Sequence, residues 1–262
     1  MLPRPLLLFT TLLLPAGAAE PAPRVHTGGS TDLNRLVLNA IGRMPTGGHY
    51  STTSQANQRL GASIRIDGSG FALTPDVAQP SYCSGATYQI FVSVVDQLAR
   101  KGSITPNPRL LQSLLVRGQT DGVGIWGRWN ANGPGTAKLF ADTGIGRNFT
   151  DWSQARPGDF LKVWWNNEIG QRERGHSVIF LGHDQTETGE DAVLFWSSNQ
   201  PEGYGRKSVP RSKIMWAVFS RLENIEVLDR LVSLPNRDNY LASMLTRPSS
   251  QQEVAAQCRI RE

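Results

Sequence analysis

One cysteine in this sequence has the setting of a catalytic nucleophile. Cys83 lies in SYCSGATYQIF, where small residues follow it. An apolar stripe at helical spacing then begins, formed by Ile90, Phe91, Val94, Val95 and Leu98. Because Gly102 ends this stripe, Cys83 is predicted at or just before the first turn of a helix of about five turns. Free N–H groups at a helix N-terminus and a nearby imidazole both lower a cysteine pKa, so this placement favours a reactive thiolate.

His176 is the best of four candidates for the imidazole. It directly precedes the apolar segment SVIFLG, and a histidine at the start of a core strand can be held as rigidly as a general base requires. The other three are placed less well, since His26 is close to the N-terminal apolar segment, His49 lies in TGGHYS and His183 lies in a polar turn.

A third residue is needed to orient the imidazole by accepting its other N–H. The strand after His176 is predicted to turn near Glu187 and to return as AVLFWSSNQ. Antiparallel pairing then brings Ser197, Ser198 or Asn199 opposite the histidine. Asn199 has the amide carbonyl suited to the task, so we predict a Cys83–His176–Asn199 triad.

Each of these residues also has an ordinary structural interpretation. Cys83 could be a structural thiol or form a disulfide with Cys258, the only other cysteine in the sequence. His176 could be a half-buried histidine, and Asn199 could serve turn formation in SSNQPEGYG. The order of the three settings favours catalysis: a cysteine before a helix, a histidine entering a strand and a polar residue leaving the next strand.

The N-terminal segment predicts export. Arg4 is followed by an apolar run over residues 6–14 and by small residues that end at Ala19, which is the layout of a secretory signal peptide. The apolar run is short for a bilayer span, and a retained membrane anchor is the alternative. We therefore expect a secreted or periplasmic protein, cleaved near Ala19, with no membrane span in the mature chain.

The remaining chain is predicted to form an α+β fold. Residues 20–70 are expected to be a leader with helices, residues 71–222 a catalytic domain, and residues 223–262 a helical segment. Helical patterns come first, and four short apolar segments follow that predict an antiparallel sheet: FLKVWW, SVIFLGH, AVLFWSS and IMWAVFSRL. Residues 121–156, rich in Gly, Asn and Trp, are predicted to be a long loop inserted in the catalytic domain.

Four residues are predicted to contact the substrate. Trp126 and Trp129 in the insertion offer flat faces to a sugar or peptide, and Asn130 offers hydrogen bonds. The alternative is that both tryptophans pack under the loop as a small core. Tyr82, which precedes the cysteine, is a candidate second oxyanion donor beside the backbone N–H of Cys83.

Composition argues against several other classes of protein. The chain is 39% hydrophobic and 19% charged, as in an ordinary globular protein. Its net charge of +5 is dispersed, with no basic run alternating with aromatic residues, so nucleic acid is not predicted as a partner. The sequence has no phosphate-binding loop, dinucleotide fingerprint or clustered metal-ligand spacing, so neither a cofactor nor a metal is predicted.

Three motifs together resemble those of the NlpC-type papain-like cell-wall peptidases. These are CSG at the start of a helix, ARPGDFLKVWW and GHSVIFLGHD, and the resemblance covers roughly residues 75–200. It implies a papain-like fold in which Cys83 matches the nucleophile, His176 the base and Asn199 the third residue. It also implies cleavage of amide bonds in peptidoglycan stem peptides.

The sequence departs from that family in two places. Tyr82 stands where the family usually has Asp, and the segment between Cys83 and His176 is longer than usual. These departures indicate a divergent branch in which the bond that is cut stays open. An acyltransferase on the same fold and a non-catalytic wall-binding domain with Cys83 in a disulfide are the alternatives.

Overall fold

The chain of 262 residues folds, in a computed structural model that describes residues 32–260, into a mixed α+β structure with an antiparallel sheet. The α+β prediction is therefore confirmed. The predicted signal peptide and the first part of the leader lie outside the described residues.

Eight helices and eleven strands are present in residues 32–260. The helices are α1 (Leu33–Ile41), α2 (Ser54–Ser63), α3 (Cys83–Arg100), α4 (Pro108–Ser113), α5 (Gly124–Asn130), α6 (Gly135–Thr143), α7 (Asn239–Ser243) and α8 (Gln251–Gln257). The strands are β1 (Gly47–Gly48), β2 (Ile64–Asp67), β3 (Gly70–Leu73), β4 (Gly146–Phe149), β5 (Phe160–Trp164), β6 (Ile169–Gly170), β7 (Gly175–Gln185), β8 (Asp191–Asn199), β9 (Gly203–Pro210), β10 (Trp216–Leu222) and β11 (Pro248–Ser249). Short 3₁₀ helices cover Pro75–Ala78, Trp152–Gln154, Arg211–Lys213 and Ile225–Ser233.

The main sheet has seven strands in the order β1-β9-β8-β7-β5-β10-β4. Every neighbouring pair in it is antiparallel. All four apolar segments predicted as strands are strands of this sheet, whereas β9 and the two edge strands, β1 and β4, were not predicted.

Helix α3 packs across the middle of this sheet, against β7 and β8. Side chains alternate between the two faces along a strand, and in the central strands the side chains on both faces are buried. Ile179 and Trp196 point into the core that contains α3, while Phe180 and Phe195 belong to a second cluster on the other face. The long central helix is thus fixed on the strands that carry the predicted base and its partner.

The predicted loop at residues 121–156 is instead mostly helical. It contains α5, α6 and β4, and α5 packs on α3. The segment is therefore part of the core structure beneath the site. The segment IRIDGSGFAL forms β2 and β3, and SQQEVAAQC, within the predicted C-terminal helical segment, contains α8.

The Pro-Gly-Asp turn before β5 has a structural role. Asp159 is fully buried and accepts hydrogen bonds from Arg221 Nε at 2.8 Å and Arg221 Nη2 at 2.7 Å. It also accepts from Asn34 Nδ2 on α1 at 2.8 Å and from the Arg156 backbone N–H at 2.8 Å. One carboxylate thereby ties α1, β10 and the start of β5 together.

Among residues 32–260, no helix combines the length and the apolar character that crossing a membrane requires.

Candidate active site

Cys83 is the first residue of α3. The backbone of Tyr82 is extended, with φ −143° and ψ 164°, and its side chain makes no capping hydrogen bond. The N–H groups of the first turn are therefore left to act on a negative charge at that position, such as a thiolate or an oxyanion. Cys83 as a residue is partly exposed, and it lines a cavity of about 320 Å³.

His176 and Asn199 are hydrogen-bonded, with 3.1 Å between His176 Nε2 and Asn199 Oδ1. The amide orientation is fixed independently, because Asn199 Nδ2 donates to the Gly205 carbonyl at 2.9 Å. The oxygen must therefore face the imidazole, and only a protonated Nε2 can donate to it. This tautomer leaves Nδ1 as the nitrogen that can take a proton from a thiol.

The imidazole is held by packing as well as by this hydrogen bond. Its ring centroid lies 5.8 Å from that of Phe195 in an edge-on arrangement and 6.3 Å from that of Trp165. Asn199 is buried, with 4% of its surface exposed, so water competes little for its oxygen. The His176 ring is thus constrained in both position and tautomer.

The Cys83 thiol is acidic for a cysteine. Burial raises its pKa, but the charge and hydrogen bond of His176 and the backbone N–H of Ser177 act against burial and bring the pKa down to about 6. Lys162 adds a smaller favourable charge. A mostly ionised thiol at neutral pH follows from this arrangement.

Tyr50 is a site residue that the sequence analysis missed. Its hydroxyl group lies against Cys83, and burial together with the neighbouring thiolate raises the pKa of the phenol, which therefore stays protonated as a donor. The Tyr50 backbone pairs with Ser81, two residues before the cysteine. Gly47, Gly48 and His49 precede it with φ of 77°, 85° and 62°, and this left-handed turn directs the chain back toward the start of α3.

The four predicted substrate contacts fall into two groups. Tyr82 and Asn130 line the same cavity as Cys83. Tyr82 donates its hydroxyl to Asn57 at 2.8 Å, which leaves Tyr50 better placed as a second oxyanion donor. Trp126 and Trp129 are 0% and 2% exposed and belong to the core, so they cannot offer a face to a ligand. The prediction that they contact the substrate is therefore wrong, and the alternative, that they pack as a core, is correct.

Trp129 supports helix α3 from beneath. Its ring stacks on Phe91 of α3 with centroids 5.0 Å apart, and its Nε1 donates to Thr87 at 3.1 Å. Thr87 in turn donates to the Cys83 carbonyl at 3.2 Å. The first turn of α3 is thereby anchored to α5.

An ion pair lies in the floor of the cleft. Lys162 Nζ is 2.6 Å from Glu173 Oε1, and both side chains are largely buried. Glu173 Oε2 accepts from the backbone N–H of Gly133 at 2.7 Å and from Trp164 Nε1 at 2.9 Å. Both carboxylate oxygens of Glu173 have partners, and the carboxylate holds Lys162 in place beneath the site.

The cleft continues past His176 into a second cavity of about 470 Å³. The two cavities share Tyr50, Glu173 and Gly175 in their walls. Cys83 therefore faces one half of a cleft and His176 the other, as a nucleophile and a base on the two sides of a scissile bond would.

The disulfide alternative does not hold in this structure. Cys83 and Cys258 are both free, and Cys258 is fully buried in a cluster with Val254 and Trp164. Burial raises the pKa of the Cys258 thiol, as expected of a structural cysteine.

Within the part of the chain that the structure describes, no three His, Cys, Asp or Glu side chains converge as a metal site would require. Comparison of the chain with known protein families, with curated proteins and with solved structures found no match.

Proposed function

We propose that this protein is a cysteine hydrolase of amide bonds, with Cys83 as nucleophile, His176 as general base and acid, and Asn199 as the residue that orients the imidazole. The observation that carries the proposal is the locked amide of Asn199, because it dictates a tautomer that is useful for proton transfer from a thiol. A buried structural histidine has no need of that arrangement. The acidic thiol at the start of α3 is the second support.

Acylation starts from a thiolate–imidazolium pair, in which the Cys83 proton already lies on His176 Nδ1. The thiolate attacks the substrate carbonyl carbon, and the carbonyl electron pair moves to oxygen. The backbone N–H of Cys83 and the Tyr50 hydroxyl are available to donate to that oxyanion. His176 then gives its proton to the departing nitrogen, and the C–N bond breaks to leave a thioester on Cys83.

Hydrolysis of the thioester restores the enzyme. His176, again neutral, takes a proton from water while the water oxygen attacks the thioester carbon. Collapse of this second tetrahedral adduct releases a carboxylic acid, and the thiolate of Cys83 leaves. Asn199 stabilises the imidazolium in both halves of the reaction, since its oxygen accepts from Nε2 throughout.

We infer a papain-like fold and peptidoglycan stem peptides as the substrate class. The support comes from the sequence, in the three motifs shared with cell-wall peptidases and in a first segment typical of exported proteins. The cleft walls around Cys83 are mainly polar, formed by hydroxyl, amide and charged side chains, as binding of a hydrated peptide backbone requires.

Digestion of purified peptidoglycan tests this function. Full-length protein is incubated with the wall material, and the released fragments are identified by mass spectrometry. Fragments that have gained water at an amide bond are expected from wild-type protein and from Cys258→Ala, but not from Cys83→Ala. Cleavage that persists in Cys83→Ala refutes the thiol mechanism. Fragments joined to a second amine instead of water indicate an acyltransferase.

A further inference from the structure

The half of the cleft on the His176 side carries an uncompensated positive charge. Arg174 and Lys207 both line this cavity, together with Trp165, Gln200 and Val209. Neither cation forms an ion pair with any of residues 32–260. Lys207 Nζ reaches only the Gln200 carbonyl, at 3.3 Å.

The one acid in the wall of this cavity does not neutralise the two cations. Glu173 is bound through Oε1 to Lys162 at 2.6 Å, and its Oε2 accepts from Gly133, Gly170 and Trp164. Both oxygens of its carboxylate are therefore already engaged by partners other than Arg174 and Lys207.

The backbone at both cationic residues is hydrogen-bonded or paired in the sheet. The Arg174 N–H donates to Asn166 Oδ1 at 2.9 Å, and its carbonyl accepts from the Trp165 N–H at 2.8 Å. Lys207 lies in β9 directly opposite Phe195, which lines the same cavity. The adjacent Arg206 does not line the cavity, as the alternation of side chains along a strand requires.

The other half of the cleft has the opposite character. Asp121 lies in its wall beside Asn130, and burial together with nearby Glu173 raises the Asp121 pKa. The lining of this half holds two carboxylates, Asp121 and Glu173, against one lysine, Lys162, which is already paired with Glu173 at 2.6 Å. An anionic group on a bound substrate is therefore directed toward Arg174 and Lys207.

We propose that the cavity beside His176 is a subsite for a carboxylate on the leaving-group side of the substrate, with Arg174 and Lys207 as the residues that select it. This rests on the proposed function, because the assignment of the leaving side follows from His176 giving its proton to the departing nitrogen. Trp165 and Phe195 contribute apolar walls for the residue that bears the carboxylate. Arginine and lysine suit this task, since their charged ends hydrogen-bond carboxylate oxygens.

Binding of a small leaving-group analogue tests the subsite without any turnover. The probes are L-alanyl-L-alanine and its C-terminal carboxamide, which differ in charge and hardly in shape. Their affinities for full-length Cys83→Ala protein are measured at low ionic strength by NMR titration. The carboxylate form is expected to bind about fivefold to tenfold tighter, the scale of two exposed ion pairs. The preference should shrink at high salt, because exposed charges are screened.

Two further variants test whether Arg174 and Lys207 cause the preference for the carboxylate dipeptide. Arg174→Gln combined with Lys207→Gln, in the same Cys83→Ala background, should bind both dipeptides equally. Arg206→Gln removes a cation from the neighbouring position and should keep the preference. Equal affinities in the parent protein, or a preference that survives in the double substitution, would overturn the proposal. If wild-type protein does not cleave peptidoglycan but the preference for the carboxylate dipeptide is present, the result counts against the proposed hydrolase and not against the carboxylate subsite.

Discussion

Replacing His176 with alanine should raise the pKa of the Cys83 thiol by more than two units. In the intact site, burial raises this pKa and is outweighed by the charge and hydrogen bond of His176, with help from the Ser177 N–H and Lys162. Without the imidazole, burial remains against two weaker contributions. The thiol pKa should therefore move from about 6 to at least the ordinary value of about 8.5.

The size of the expected pKa change decides which quantity an alkylation experiment on His176→Ala must measure. A thiol of pKa about 6 is about nine-tenths ionised at pH 7, whereas one of pKa 8.5 is about 3% ionised, a loss of about thirtyfold. A more basic thiolate is also a stronger nucleophile, with a Brønsted slope of about 0.4–0.5, and this returns roughly tenfold. The alkylation rate at pH 7 should then fall only about threefold, so the midpoint of the pH profile is the informative quantity.

The assay is the rate of Cys83 alkylation by iodoacetamide from pH 4.5 to 10, followed by mass spectrometry of the labelled peptide. His183→Ala is the matched control, since His183 lies further along β7 and is exposed. A wild-type midpoint near 8.5 would refute the argument that His176 and the start of α3 activate the thiol. A midpoint unchanged in His176→Ala would assign the acidity to the helix and Lys162 instead.

Four other substitutions separate orientation, oxyanion binding and stability. Asn199→Ala should lower kcat without abolishing it, because the imidazole can still visit the reactive geometry, whereas Ser198→Ala should have a small effect; steady-state kinetics on both proteins checks this. Tyr50→Phe should lower kcat about a hundredfold with KM nearly unchanged if its hydroxyl serves the oxyanion, and the same kinetics measures it. Asp159→Ala should destabilise the protein by about 3–5 kcal/mol in denaturant unfolding, because it leaves the buried guanidinium of Arg221 unpaired. A loss below about 1 kcal/mol would contradict this structural role of the Pro-Gly-Asp turn.

Periodicity was sufficient to predict the elements that carry Cys83 and His176. The stripe from Ile90 to Leu98 lies on α3, and the apolar segments around His176 and before Asn199 form β7 and β8. These segments bury their apolar side chains in regular helix and strand geometry, so the local pattern carries the information.

The prediction of a long loop at residues 121–156 was wrong because the glycines of this segment were interpreted as loop residues. In the structure, glycines permit close approach between elements. A Cβ at Gly127 would lie 2.3 Å from the Thr120 carbonyl oxygen, and one at Gly135 would lie 2.1 Å from that of Arg128. Such contacts depend on tertiary packing of α5 and α6, which a single sequence does not display.

Tyr50 was missed for a related reason. It reaches Cys83 through an isolated parallel bridge to Ser81, and no apolar pattern marks a pairing of that kind. The only local signal is TGGHYS, whose two glycines allow the left-handed turn before it. That signal predicts a turn, but it does not predict that Tyr50 will lie against the start of α3.

The partner of His176 depends on one extra residue in β7. The far end of the β7–β8 hairpin pairs Gln185 with Asp191, so its turn is centred on residue 188, and a regular ladder from there would put residue 200 opposite the histidine. Between Phe180 and Gly182 the register shifts by one, and the pairing beyond it continues toward Asn199. The sequence analysis placed the turn near Glu187 and left the register open, so three residues remained candidates. Bulges recur beside active sites because they change which side chain faces a given position. Here the bulge at Leu181 places Asn199, and not Gln200, against the imidazole.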